Sequence, residues 1–224
     1  MSLKQKLSLA VLASGSGTNL QSIIDQCRRG LLNAEIKLVI SNNPDAGALE
    51  RAERAGINNI CINHRDFDTR ESFDQAVVSA LKEVKTELVV LAGFMRIISP
   101  LFLQAFPQRI INIHPALLPS FPGLHVQQKA INYGAKFSGC TVHLVDGGVD
   151  TGPIIVQAVV PILDNDTEET LAARILEQEH KIYPQAIQWF AEGRVNVTRR
   201  QVKIKNCINL ETALINPPLP QREK

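Results

Sequence analysis

The size, composition and charge of the chain limit the classes of protein to which it can belong. Its 224 residues suit one α/β domain with a small appendage, and its 45% hydrophobic and 21% charged residues are ordinary for a protein that buries a core. The net charge is only +2, without a block of like charge, so neither nucleic acid nor a membrane is indicated as a partner.

Predicted strands and helices alternate through the first half of the chain. Short apolar runs predict strands at residues 7–13, 36–41, 57–62 and 88–92. Amphipathic segments predict helices at residues 20–29, in a stretch that ends near Gly56, and at residues 70–84. Continuous apolar strands that alternate with helices indicate a doubly wound, mostly parallel α/β sheet, covered on both faces. In such a Rossmann-like fold, ligands bind beyond the carboxyl ends of the strands.

The second half begins with a strand at 110–114 and a proline-rich turn. A short helix and two strands are then predicted at residues 125–133, 139–145 and 153–160. Thr167 is a preferred N-cap residue and predicts a long helix that ends near Phe190. We expect residues 1–195 to form one domain. Residues 196–224 would be a tail whose alternating apolar and basic residues can form a hairpin.

Cysteine usage and the N-terminus indicate a cytoplasmic protein. The four cysteines contain no C-x-x-C pair, which is typical of reduced thiols and of neither a zinc site nor a disulfide framework. The apolar run at residues 7–13 is similar to a signal peptide core, but it is at the short limit for one and leads into a glycine loop. We therefore expect no metal and no export.

The loop at residues 14–19, Ser-Gly-Ser-Gly-Thr-Asn, joins the first predicted strand to a helix. Its glycines allow the backbone to approach an anion, and the helix N-terminus adds partial positive charge. Leu20 stands where the dinucleotide fingerprint has its third glycine, and the loop lacks the lysine of a P-loop. The loop by itself fits a phosphate site and a simple tight turn equally well.

Asn112 and His114 are the first candidates for chemistry. Side chains alternate along a strand, so both would point to one spot near the strand's carboxyl end. A carboxamide N–H can bind a developing oxyanion and an imidazole can donate a proton, which suits acyl transfer. From this tripeptide alone, the favoured alternative is that both side chains are satisfied by the backbone.

Asp150 lies in a turn rich in Asp and Gly, at residues 146–152. A carboxylate beside an imidazole holds the ring in one orientation and stabilises its positive charge. Asp150 and His114 would then form an acid–base pair. Without further context, an aspartate that caps its own turn is the simpler interpretation.

Three longer motifs make a family resemblance specific. LAGFMRII at residues 91–98, NIHPALLP at 112–119 and VDTGP at 149–153 resemble the formyltransferase superfamily, which uses 10-formyltetrahydrofolate. Within it, the chain is similar to the branch that formylates glycinamide ribonucleotide in purine synthesis. The SGSGTN loop and FPGLH at residues 121–125 agree with this branch. The resemblance covers residues 7–195.

The resemblance implies a role for each matching position. The catalytic residues would be Asn112, His114 and Asp150. The ribonucleotide would be bound by Gly17, Thr18, Asn19 and Glu179. The folate would contact Arg70, Met95, Arg96, Ile97, Ile98, Asn112, Asp146, Gly147, Gly148 and Val149. The family commonly has serine where Thr18 stands, and the hydroxyl is kept. His143 and His180 are interpreted as packing residues.

Three rival functions follow from the same residues. A formyltetrahydrofolate hydrolase would carry a regulatory domain ahead of this core, whereas the first strand here begins at Leu7. A methionyl-tRNA formyltransferase would need a further domain after Val195, for which about 30 residues are too few. A non-catalytic nucleotide-binding module would have no use for an acid–base pair. The sequence leaves open whether the protein is a monomer or a homodimer.

Overall fold

A computed structural model describes residues 5–208 and 210–217, and a seven-stranded sheet forms its centre. The strands are β1 (Leu7–Leu12), β2 (Ala34–Ser41), β3 (Asn59–Cys61), β4 (Leu88–Leu91), β5 (Ile110–His114), β6 (Phe137–Leu144) and β7 (Ile154–Pro161). Their order is β3-β2-β1-β4-β5-β6-β7. The first five strands pair in parallel, and β6 and β7 are antiparallel. The predicted doubly wound, mostly parallel sheet is confirmed.

Helices cover both faces of this sheet. They are α1 (Thr18–Arg28), α2 (Gly47–Arg54), α3 (Arg70–Glu83), α4 (Pro100–Ala105), α5 (Val126–Tyr133) and α6 (Glu168–Ala191). Because side chains alternate along a strand, Leu9 and Val11 of β1 join the core under α1, α2 and α6. Ala10 and Leu12 join the opposite core, under α3 and α4. A third, smaller core lies between α5, α6 and the antiparallel strands.

Helix α6 is anchored at its start and at its centre. The Thr167 hydroxyl accepts the Thr170 N–H, and the Thr170 hydroxyl accepts the Thr167 N–H, so the predicted cap is confirmed as a capping box. The fully buried Tyr183 donates its hydroxyl to the carbonyls of Leu91 and Ile111, at 2.8 and 3.2 Å. These bonds fix α6 against the end of β4 and the start of β5.

Helix α4 was not predicted, because six residues are too few to show a helical period. Pro100 stands at its first position, where a missing N–H costs nothing. The N-cap residue Ser99 does not cap the helix with its own side chain. Its backbone N–H is accepted by the Asp74 carboxylate of α3, which is fully buried. A side chain distant in sequence therefore sets where this helix begins.

The predicted hairpin in the tail is present as β8 (Val195–Thr198) and β9 (Gln201–Ile204). Its apolar residues pack, partly buried, against the core under α1 and α6. Arg200 ties the turn to the carbonyl of Thr151 at 2.8 Å. Residue 209 and residues 218–224 of the predicted tail lie outside the described residues. Among the helices described, none combines the length and the apolar character needed to span a bilayer.

Candidate active site

A cavity of about 650 Å³ opens at the carboxyl ends of β4 and β5. It lies beside the point where the strand order reverses between β1 and β4, which is where doubly wound sheets bind ligands. The predicted site residues that line it are Asn19, Met95, Arg96, Ile97, Ile98, Asn112, His114, Asp146, Gly148, Val149, Asp150 and Glu179. Five separate segments of the chain therefore meet at one cavity.

His114, the last residue of β5, is buried and faces an acceptor on each side of its ring. Nδ1 lies 3.3 Å from Oδ2 of Asp150, and Nε2 lies 2.9 Å from the carbonyl oxygen of Phe121. Only an imidazolium has a proton on both nitrogens and can donate to both acceptors. The predicted proximity of His114 and Asp150 is confirmed, and the surroundings suit the positively charged ring.

The loop after His114 is held so that its backbone returns to the ring. The buried Thr141 hydroxyl donates to the carbonyl of Ala116 at 2.7 Å and accepts the N–H of Leu118 at 3.1 Å. Gln157 donates to the carbonyl of Leu118 at 2.9 Å. Phe121 then adopts φ 52°, a left-handed conformation that is unusual for a bulky residue. The loop thereby brings the Phe121 carbonyl to Nε2 of His114.

Asp150 also has a left-handed backbone, with φ 54°, a conformation that aspartate tolerates better than most residues. Its Oδ2 accepts the N–H of Gly123 at 3.0 Å. Burial raises the pKa of Asp150. The hydrogen bond with His143, the Gly123 N–H and the charges of His114 and His143 outweigh burial, so the pKa lies below its ordinary value. The carboxylate is therefore ionised at neutral pH.

His143 was interpreted from sequence as a packing residue, and the structure places it in the site. It lies directly opposite Asn112 in the antiparallel pair β5–β6. Its Nδ1 faces the carbonyl of Leu144 at 2.8 Å, so Nδ1 carries a proton. Its Nε2 lies 3.2 Å from Nδ2 of Asn112 and 3.7 Å from Oδ1 of Asp150. The ring links the amide to the carboxylate: in its neutral form it accepts from Asn112, and in its protonated form it donates to Asp150.

Glu179 reaches the cavity from α6, one turn before Tyr183, and is buried. Burial raises the pKa of Glu179, and the hydrogen bond from Asn19 partly opposes this. That bond joins Nδ2 of Asn19 to Oε2 of Glu179 at 2.7 Å. Oδ1 of Asn19 is buried without a hydrogen-bond partner among the described residues. A ligand with an N–H or O–H group would satisfy this oxygen.

Gly17 and Thr18 lie beside the cavity rather than in its lining, at the start of α1. Gly17 is the N-cap, with φ 74°, and among the described residues no side chain caps the helix. Its Cα approaches α2 so closely that a Cβ would lie 2.7 Å from Cα of Ala48. Only glycine fits here, and it leaves the first N–H groups of α1 open to an anion.

The opposite wall of the cavity carries exposed apolar side chains. Met95, Ile97 and Val149 are 65%, 57% and 50% exposed, although each lines the cavity. Exposed apolar groups that converge on a concave surface are typical of a ligand site. Arg70 and Gly147 are not among the lining residues, and Arg70 is exposed at the start of α3, where it pairs with Glu71 at 3.3 Å.

In the described part of the chain, neither metal-binding groups nor cysteines form a second candidate site. Residues 5–208 and 210–217 contain no group of three or more His, Cys, Asp or Glu side chains placed to hold a metal ion. The four cysteines are free thiols. Burial raises the pKa of Cys27 to about 11 and that of Cys140 to about 12, so neither is a reactive thiolate.

Comparisons with known proteins agree on one family. The formyl transferase family matches residues 7–187. The chain is 48% identical over 192 residues to the trifunctional purine biosynthetic protein adenosine-3 of Drosophila melanogaster, covering 85% of this chain. It is 44% identical over 191 residues to the phosphoribosylglycinamide formyltransferase of Escherichia coli, covering 85% of this chain and 90% of that protein. Glycinamide ribonucleotide transformylase 1 from Symbiobacterium toebii superposes with a TM-score of 0.88 at 50% identity, over 89% of this chain and 94% of that one.

The relatives differ in length. The chain spans 14% of the length of the trifunctional proteins of Drosophila melanogaster and Drosophila pseudoobscura pseudoobscura, but nearly all of the bacterial relatives. The matched region nevertheless includes β1 to β7 and most of α6, and with them every segment that lines the cavity. The chain belongs to the formyl transferase family.

Proposed function

We propose that this protein transfers a formyl group from 10-formyltetrahydrofolate to the amine of glycinamide ribonucleotide, a step of purine synthesis that takes place in the cytoplasm. The observation that carries the proposal is the cluster of Asn112, His114 and Asp150 at one cavity. The His114 ring lies between the Phe121 carbonyl and the ionised Asp150 carboxylate, and the ring of His143 lies between the Asn112 amide and the same carboxylate. This set suits acyl transfer through a negatively charged oxygen.

Each substrate has a matching part of the site. The phosphate of the ribonucleotide would bind at the N-terminus of α1, on the backbone of Gly17, Thr18 and Asn19. The folate would lie against the apolar wall formed by Met95, Ile97 and Val149, whose exposure is otherwise unexplained. Glu179 and Asn19 would contact the glycinamide end.

In the reaction, the amine nitrogen attacks the formyl carbon and a new C–N bond forms. The carbonyl oxygen becomes an oxyanion, which a second N–H of Asn112 and the positive charge of His114 stabilise. The bond between the formyl carbon and the folate nitrogen then breaks. The attacking amine loses a proton and the leaving folate nitrogen gains one. Asp150 holds the His114 ring in one orientation through its contact with Nδ1 at 3.3 Å.

Most of the rate gain would come from positioning and from preorganised charge. Two bound substrates react as one molecule, which removes much of the entropic barrier. A single oxyanion donor contributes about 3 kcal/mol, so the loss of Asn112 would slow turnover by a hundredfold or more. The mechanism uses no metal ion.

A turnover assay tests the proposal directly. Purified protein is mixed with 10-formyltetrahydrofolate, and folate absorbance is followed with and without glycinamide ribonucleotide. We expect loss of the formyl group only when the ribonucleotide is present. Loss in its absence would instead identify a hydrolase, and no loss in either case would identify a non-catalytic binding module. Sedimentation of the same sample distinguishes a monomer from a homodimer.

A further inference from the structure

Ser14 joins two segments that serve different substrates. It is the first residue of the glycine loop, two positions after the end of β1, while residues 93–98 follow the neighbouring strand β4. The Ser14 N–H donates to the carbonyl of Gly93 at 3.0 Å. The Met95 N–H donates to the Ser14 hydroxyl at 2.8 Å. Ser14 therefore both donates to residues 93–98 and accepts from them.

The Ser14 hydroxyl also bonds to a residue that follows a third strand, β2. Because the hydroxyl oxygen accepts from Met95, its own proton is free to donate to Oδ1 of Asn42, at 2.6 Å. Asn42 is buried just after β2, and its Nδ2 faces Nδ1 of His64 at 3.2 Å. The chain of bonds from Met95 through Ser14 to Asn42 crosses the carboxyl ends of β4, β1 and β2.

These bonds matter because they join the glycine loop to residues 93–98 at a point where both segments contain exposed or unpacked residues. Gly15 and Ser16 of the glycine loop are exposed, and so is the Met95 side chain. Gly93 adopts φ 74°, and a Cβ added to it would meet nothing within 4 Å. The glycine loop is held on its other side by α2, where the Ala48 N–H donates to the Gly15 carbonyl at 3.1 Å and Nε of Arg51 donates to the Ser16 carbonyl at 2.8 Å. Residues 93–98 are held by the buried side chains of Phe94 and Ile98. Between the two segments, the bonds of Ser14 to Gly93 and Met95 set the spacing.

We propose that Ser14, held by Asn42, is a positioning residue that keeps the glycine loop and the apolar wall at a fixed spacing, so that the affinity for each substrate depends on the other's binding segment. The inference rests on the proposed function for the identity of the two ligands. Ser14 touches neither the reacting atoms nor the cluster of Asn112, His114 and Asp150. It acts through the backbone of Met95 on one side and through its own loop on the other.

Ser14→Ala removes the hydroxyl without adding volume. It leaves the Met95 N–H and Oδ1 of Asn42 without their partner, and each segment gains freedom. We expect the KM for both substrates to rise, each on the order of tenfold, while kcat falls less. Ser14→Thr keeps a hydroxyl and should restore both KM values. Ser22→Ala is the matched control, because the Ser22 hydroxyl also bonds across elements, to the carbonyl of His180 at 3.0 Å.

A double-mutant cycle tests the role of Asn42. Asn42→Ala should raise the same two KM values, and Ser14→Ala with Asn42→Ala together should be no worse than the more severe single variant. If the effects of the two substitutions on KM were fully additive, Asn42 would not act through Ser14. A rise in only one KM, unchanged KM values in Ser14→Ala, or an equal rise in Ser22→Ala would overturn the inference.

Hydrogen exchange of the Met95 amide separates this inference from the proposed function. Protection of that N–H should be lost in Ser14→Ala and retained in Ser14→Thr, whatever reaction the protein performs. If the wild-type protein transfers no formyl group, the proposed function fails while the exchange result still decides whether Ser14 restrains the wall. If turnover is normal and Met95 is equally protected in Ser14→Ala, the positioning role is wrong.

Discussion

Replacing Asp150 by asparagine perturbs the candidate site with little other change. Asparagine has the same shape, tolerates the φ of 54° found here, and can still accept the Gly123 N–H. What it removes is a negative charge 3.3 Å from Nδ1 of His114. The experiment therefore isolates the electrostatic part of the proposed mechanism.

The size of the effect follows from that distance. Two unit charges 3.3 Å apart interact by about 5 kcal/mol at an effective dielectric constant of about 20. The amide dipole of asparagine and water at the cavity mouth recover part of this, so about 3 to 5 kcal/mol of transition-state stabilisation should be lost. Since about 1.4 kcal/mol is a factor of ten in rate, we expect kcat to fall by about 10² to 10⁴.

Initial rates of formyl transfer at saturating substrate measure this fall. Asp164→Asn is the control, because it removes an exposed carboxylate that only pairs with Lys136 at 3.8 Å. Urea unfolding shows whether the variant is folded. A folded Asp150→Asn protein with kcat within about threefold of wild type would refute the electrostatic argument.

The same substitution carries a prediction for stability. The folded-state pKa of Asp150 lies below its ordinary value, so the ionised carboxylate stabilises the fold above about pH 3.9. This contribution is lost as the pH falls through the folded-state pKa. Asp150→Asn should therefore be less stable than wild type at pH 7, and the difference in unfolding free energy should shrink below about pH 4.

Three further substitutions test other parts of the structure. Glu179→Gln should raise the KM for the ribonucleotide. Because burial raises the pKa of Glu179, the stability of the Glu179→Gln protein relative to wild type should increase as the pH rises from about 4.3 to the folded-state pKa. Urea unfolding at pH 5 and pH 8 measures this change. Gly17→Ala would force a Cβ into Ala48 at positive φ, so it should lower the unfolding free energy by about 1 kcal/mol or more and weaken ribonucleotide binding, both measurable on the same sample. Thr167→Ala removes the cap of α6 and should cost about 1 kcal/mol in urea unfolding, while kcat of the folded protein stays unchanged.

The periodic parts of the fold could be predicted from sequence. Apolar runs and helical spacing located the seven strands of the sheet and five of its six helices to within a few residues, because burial on both faces leaves a strong pattern. Helix α4 was not predicted because it is short and because the N–H at its start is accepted by Asp74, about 25 positions away. No local pattern records such a contact.

The candidate site could be predicted only in part. Asn112 and His114 share a strand, so their common direction follows from alternation alone. The place of His143 depends on the register between β5 and β6, which puts it opposite Asn112, and sequence does not specify that register. The Phe121 carbonyl and the Ser14 hydroxyl were missed for a related reason, because their roles come from backbone geometry and from contacts across strands. The exposed Arg70, which resemblance alone assigned to the folate, stays a prediction.

The bond between Asn19 and Glu179 has a consequence for how the protein becomes active during synthesis. The two residues are 160 positions apart, so they cannot meet until the last long helix has left the ribosome and docked on a sheet whose first strand emerged much earlier. The part of the site formed by Asn19 and Glu179 is therefore among the last parts of the domain to form. A ligand that contacts both residues would bind only after α6 has docked, so its binding during translation would report that step.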